Sequence, residues 1–232
     1  MTQFTIDTHV ADIVTALPQS ADFFRSLRID FCCGGKISLK EAAEAQDLNP
    51  EETLKQIRVI EKKREEHNSI DAASFGNKTL VAYIQETYHE SLREELPTLS
   101  QYISTVVNVH GNWQPHLSRV QEIFEELSTE LLDHTEDEDK NVFPLILEFL
   151  SNPKDELKEK VKPHVFELEE EHETAGNLLF ELRDITNNFT PHDEACATYS
   201  LVYARLEQLE KDTFNHVHLE NNILFERVRK AL

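Results

Sequence analysis

His134 and Glu138, and again His216 and Glu220, stand four residues apart in segments whose apolar residues recur at helical spacing. In a helix that interval puts imidazole and carboxylate on one face, a turn apart. One further histidine, His89 or His172, lies in each of two other such segments. Four imidazoles and two carboxylates turned to one interior would be the ligand set of a dinuclear metal centre. A single His-x-x-x-Glu step means little in an acidic helical chain. The acids Glu136-Asp137-Glu138-Asp139 and Glu169-Glu170-Glu171 around these histidines would serve equally as solvated faces. The combination decides, with one histidine per helix and the added carboxylate on the second and fourth. His89 to His134 is 45 residues and His172 to His216 is 44. Each span equals a helix, a turn and a returning helix, so each pair can lie level. A slip of three or four residues would separate partners by roughly 5 Å.

Imidazole and carboxylate without thiolate suit iron or manganese better than structural zinc. Two histidines per ion and two shared carboxylates leave positions for oxo, hydroxo, water or a small molecule, so the site is chemically open. Gly176, four residues after His172, occupies the place of a possible further ligand. It serves either close helix packing or an open space beside the metals. Glu130 and Asp212 precede His134 and His216 by one turn and could orient imidazoles. His110, before Gly111, reads as structural or supporting at a bundle end. His218 lies about 200° round the helix from His216. His9, His67, His116, His164 and His192 read as background.

The elements that must carry these residues follow from apolar periodicity. Helices are expected at about 79–107, 116–150, 156–188 and 194–231, with Pro97 and Pro144 inside the first two. Short connections imply antiparallel neighbours, hence an all-α, up-down four-helix bundle over 78–232. The polar stretch 66–77 reads as a linker and residues 1–65 as a small helical domain. Within that domain the Val10, Ile13, Val14, Leu17 stripe ends before Pro18. Ser20 could cap the next helix, Ser38 and Glu41 form a capping box, and Asn49-Pro50 opens another helix. Between them lies Ile29-Asp30-Phe31-Cys32-Cys33-Gly34-Gly35. Adjacent cysteines close only a strained ring, so a redox, metal-transfer or protein-contact role is favoured over a structural disulfide. Cys32, Cys33 and Glu130 are the candidate reactive groups, and Cys196 reads as structural.

The 232 residues include 5 Gly and 8 Pro, a composition that favours helices over a turn-rich sheet fold. A formal charge of −21 argues against nucleic acid as a partner. No secretory signal or membrane-spanning run is visible, which suggests a cytoplasmic protein.

The Cys-Cys-Gly-Gly segment followed by His89, His134-x-x-x-Glu138, His172 and His216-x-x-x-Glu220 resembles the bacterial iron–sulfur cluster repair di-iron proteins. That resemblance covers nearly the whole chain. It implies a small cysteine domain before a hemerythrin-like bundle and two non-haem irons, with oxo or hydroxo and carboxylate bridges. His89, His134, His172 and His216 would be terminal ligands, and Glu138 and Glu220 the bridges. It also implies a homodimer that restores iron–sulfur proteins whose clusters nitric oxide or peroxide has damaged. Nitric oxide reduction at the centre is the alternative, with oxygen sensing or carriage a third reading. Oxygen-carrying hemerythrins have a second histidine on the third helix, where Gly176 stands here. Their fourth helix carries an aspartate five residues on, where this chain has Glu220 at four.

Overall fold

The computed structural model describes residues 4–64 and 71–232, and throughout them the protein is all-α. Extended pairing among the described residues is limited to one isolated bridge, His9 with Ser38. The chain divides into two compact units, Val81–Thr213 and Met1–Leu80 with Phe214–Leu232.

In the N-terminal part, α1 (Val10–Ala16) stops before a 3-10 turn, Pro18–Ser20, that runs into α2 (Ala21–Ser26). Next come α3 (Leu39–Ala45) and α4 (Pro50–Arg64). Val10, Ile13, Val14, Leu17, Phe24, Phe31, Leu39 and Ile57 are buried. The capping box forms as expected: Glu41 N donates to Ser38 Oγ at 3.2 Å, and Ser38 N to Glu41 Oε2 at 2.9 Å. Asn49 Oδ1 accepts from Glu52 N at 3.1 Å, with Pro50 opening the helix. Ser20 does not cap α2. Its backbone is already helical, and its hydroxyl donates back to Leu17 O at 2.7 Å. Of the expected linker, residues 66–70 lie outside the described residues, Ala72–Ser74 form a 3-10 turn and Asn77 begins a helix.

The bundle helices end within a few residues of expectation, and three contain a π-helical turn. Helix α5 (Asn77–Ile84) passes through Gln85–His89 into α6 (Glu90–His110). Helix α7 (His116–Asp137) passes through Glu138–Val142 into α8 (Phe143–Ser151). The third, α9 (Asp155–Ile185), is uninterrupted. Helix α10 (Ala197–Leu219) passes through Glu220–Leu224 into α11 (Phe225–Ala231). Pro144 sits just after a π turn, where the regular i→i−4 ladder is already broken and its missing N–H costs least.

Within Val81–Thr213, an arginine–carboxylate pair joins each neighbouring pair of helices. Arg93 meets Asp139, Arg119 meets Glu181 at 2.7 Å, Arg183 meets Glu210, and Arg205 meets Glu95 at 2.7 Å. The helices are thus joined first to second, second to third, third to fourth and fourth to first, the ring of an up-down bundle. Arg183–Glu210 is buried at both ends. Desolvation offsets much of such a pair's attraction, but losing one partner would strand a charge in the core. Leu92, Leu96 and Leu99 of α6, Leu127 and Leu131 of α7 and Leu179 and Leu182 of α9 fill the interior.

Candidate metal centre

Three candidate ligands mark π turns: His89 closes the first, Glu138 opens the second and Glu220 opens the third. A π turn inserts one residue into the helical phase, redirecting side chains at that level, and such turns concentrate at functional sites.

Within Val81–Thr213 the structure brings His89, His134, Glu138 and His172 together, all buried. His134, Glu138 and His172 offer ligand atoms within 4.8 Å of one another. Nε2 of His134 lies 3.0 Å from Nε2 of His172 and 3.2 Å from Glu138 Oε2. His89 Nε2 is 3.5 Å from the same carboxylate oxygen, and its ring stacks on Phe143.

The other ring nitrogens fix the tautomers. His134 Nδ1 lies 2.6 Å from Glu171 Oε2, and His89 Nδ1 lies 2.8 Å from Asp139 Oδ1. A carboxylate accepts, so each Nδ1 donates to its acid, and in the neutral form of each ring the Nε2 lone pair faces Glu138. Two imidazole nitrogens and a carboxylate oxygen converge there among buried residues, an arrangement that suits a cation. Burial pushes the Asp139 carboxyl up, but hydrogen bonds from His89, Arg93 and Gln85 outweigh it and bring it down to about 2. Glu171 is held low chiefly by its hydrogen bond from His134.

In the other unit, His216 Nε2 and Glu220 Oε1 are 2.8 Å apart and both residues are fully buried. The four-residue step survives into the π turn as a facing pair. Cys32 and Cys33 lie side by side with Asp30 in this unit.

Glu130 and Asp212 do not take the orienting positions expected of them. Asp212 accepts from Gln208 at 2.9 Å. Glu130 lines a cavity of about 810 Å³ whose wall includes His134 and His172, with Asp133, Asp137, Glu167 and Glu171. Burial and repulsion from Glu126 and Glu171 raise its pKa. The orienting acids are instead Asp139, swung toward the first helix by the π turn, and Glu171, beside His172. Both sit in the acidic runs, where charge alone did not distinguish them. Gly176 is buried, yet a β-carbon built there would meet no atom within 4 Å. Close packing therefore does not explain it; there is space on His172's face of α9.

Residues 6–61 match a domain of unknown function found at the N-terminus of ScdA proteins, and residues 80–228 match the hemerythrin HHE cation-binding domain. The chain is 37% identical to the iron–sulfur cluster repair protein ScdA of Staphylococcus haemolyticus, over 96% of this chain and 98% of that protein. It is 32% identical to the iron–sulfur cluster repair protein YtfE of Yersinia pseudotuberculosis, over 94% and 95%. With a probable iron–sulfur cluster repair protein of Haemophilus influenzae it shares 30% over the same fractions. The chain belongs to the ScdA/YtfE iron–sulfur cluster repair family.

Other residues of this family member carry contacts that helical periodicity did not flag. His218, expected on the side of the helix away from His216, is buried. It donates from Nδ1 to the carbonyl of Phe31 at 3.2 Å, and Nε2 meets Thr15 Oγ1 at 3.2 Å. His116 Nε2 lies 2.9 Å from the hydroxyl of Tyr203 and 3.3 Å from that of Tyr199, and both tyrosines are buried. His110 lies at the end of α6, 3.3 Å from the exposed thiol of Cys196. No described helix is long and apolar enough to cross a membrane.

Proposed function

We propose that this protein repairs damaged iron–sulfur clusters, using a non-haem di-iron centre held by His89, His134, Glu138, His172, His216 and Glu220. The observation that carries the reading is the convergence of tautomer-fixed imidazole lone pairs on buried Glu138. Such a set suits a divalent cation. The 45- and 44-residue spacings support adding His216 and Glu220 to the site. Glu138 and Glu220 would bridge two irons, with oxo or hydroxo groups completing the coordination.

When bound, the irons supply transferable metal and reducing equivalents. Asp139 and Glu171 keep the protons of His89 and His134 on Nδ1, so that Nε2 remains a donor. The acids around the cavity beside His134 and His172 gather cations at low cost. The open face at Gly176 leaves the third helix one potential ligand short, which favours release over retention. The partners implied are iron–sulfur proteins with damaged clusters and, on the family resemblance, a second copy of this chain. The division into a cysteine domain over 1–65, a linker and a metal-binding bundle over 78–232, and a cytoplasmic location, belong to the same proposal. Nitric oxide reduction and oxygen carriage find no support in the relatives' names.

Metal analysis of protein purified without chelator tests the centre. Two irons per chain are expected, with loss in His134→Leu and His216→Leu; zinc, or no metal, would overturn it. Restoration of a peroxide-damaged iron–sulfur enzyme by the iron-loaded protein, and not by those variants, tests the repair role.

A further inference from the structure

The loop that carries Cys32 and Cys33 is built more tightly than two small apolar residues would need. Asp30 Oδ1 accepts from the backbone N–H groups of Cys32 (2.9 Å) and Cys33 (3.0 Å), and Oδ2 accepts from Gly34 N (2.8 Å). Asn222 Nδ2 donates to the carbonyl of Cys32 at 2.8 Å, and His218 holds that of Phe31. Gly34 and Gly35 are required by close approach. A β-carbon on Gly34 would come 2.9 Å from Asp30 Oδ2, and one on Gly35 would come 2.6 Å from the Phe31 carbonyl oxygen. These contacts hold the two thiols 3.5 Å apart with Cys32 Sγ 3.4 Å from Asp30 Oδ1. Cys32 is buried and Cys33 is half-buried.

We propose that Asp30, Cys32 and Cys33 form a second metal site, one that takes a single thiophilic divalent cation, with ferrous iron as its cargo. The three residues offer ligand atoms within 4.8 Å of one another. At a metal–sulfur distance of about 2.3 Å, sulfurs 3.5 Å apart subtend about 100° at the ion, close to a tetrahedral angle. A disulfide would require the same sulfurs to close to about 2.05 Å across adjacent residues. Binding needs no electron transfer: the ion replaces two thiol protons, which pass to solvent, and Asp30 supplies the third ligand. A fourth position at half-buried Cys33 stays open for an incoming or departing ligand.

The choice of iron as cargo rests on the repair reading, whereas the site itself does not. His216 and Glu220 share one helical stretch with His218 and Asn222, which pin the cysteine loop. Asn222 lies in the same π turn as Glu220.

Cobalt(II) titration of the full-length protein loaded with only the two irons per chain of the proposed bundle centre, under anaerobic conditions, tests the site. Thiolate-to-cobalt charge-transfer absorption is expected to saturate at one equivalent in the wild type and in Cys196→Ser. It should vanish in Cys32→Ser/Cys33→Ser with iron content and circular dichroism unchanged. Asp30→Asn, which keeps the Oδ1 acceptor, should weaken cobalt binding about tenfold or more. Absence of the band in the wild type, or its survival in the double variant, would overturn the proposal. Undiminished affinity in Asp30→Asn would overturn the three-ligand assignment. Repair assays on the same samples separate the two readings. A cobalt band without repair removes the repair role and keeps the site, and repair without a band does the reverse.

Discussion

Gly176→Ala is expected to make the protein more stable, although the position is buried and stands one turn from a candidate metal ligand. A new β-carbon would find no atom within 4 Å, so no steric cost opposes it. Replacing glycine by alanine inside a helix contributes about 1 kcal/mol, and shielding one more methyl group adds up to about 0.8 kcal/mol. The expected gain is therefore about 1–2 kcal/mol in urea unfolding followed by far-ultraviolet circular dichroism. Gly35→Ala supplies the contrast. There the β-carbon would lie 2.6 Å from a backbone oxygen and 3.0 Å from Ala11 Cβ, so stability should fall. A loss of stability in Gly176→Ala would refute the open space on which the access reading depends. Gly176→Leu then tests use of the space. Its side chain lies on the face of His172, about 6 Å along the helix. It should slow the entry of nitric oxide into the reduced protein in stopped-flow mixing while iron content stays the same. Unchanged entry kinetics would remove Gly176 from the access route.

Asp139→Asn takes the carboxylate from His89 Nδ1 and should lower iron affinity about 10–100-fold in chelator competition with helicity retained; equal affinity would show that Asp139 does not set the ring's tautomer. Arg183→Ala should cost about 3–5 kcal/mol by stranding Glu210, and Arg183→Met with Glu210→Leu should recover most of it, so equal losses in both would count against the buried-pair account. Burial brings the pKa of His218 down to about 4 from an ordinary value near 6.5. Between those values the unfolded chain binds more protons than the folded one, so stability is full above about pH 6.5 and falls as pH drops toward 4, by on the order of 3 kcal/mol. His218→Gln should flatten that slope in unfolding measured across the window; an unchanged slope would place the titration elsewhere.

The helices, and the meeting of His89 and His134 at Glu138, were legible because both rest on periodicity. Leu92, Leu96, Leu99 and Ile103 mark a buried stripe, and matched spans between histidines follow from a constant rise per residue. The capping box at Ser38 and the start at Pro50 were legible because those signals lie within a few residues. The orienting acids were hidden for the converse reason. Asp139 and Glu171 are single members of runs such as Glu136-Asp137-Glu138-Asp139, and only the phase of each helix selects which acid faces inward. A π turn changes that phase, and no residue type announces it. His218 was missed because its partners, Phe31 and Thr15, lie 187 and 203 residues away in sequence.

The π turns also change what the repeated His–Glu step means. In an unbroken helix His134 and Glu138, or His216 and Glu220, would simply stack one turn apart. Here each glutamate begins a π turn, and the residues just beyond it take contacts a regular helix would direct elsewhere: Asp139 toward His89 and Arg93, Asn222 toward the cysteine loop. The wide turn therefore lets one short segment carry a candidate metal-binding carboxylate and position a neighbouring group. Two of the carboxylate-bearing segments follow this plan, whereas α9, with His172 and Gly176, stays regular and presents one imidazole and open space. The asymmetry gives the third helix a different task from the others. On the proposed reading it would contribute a ligand without closing the site, as a centre that gives up its metal requires.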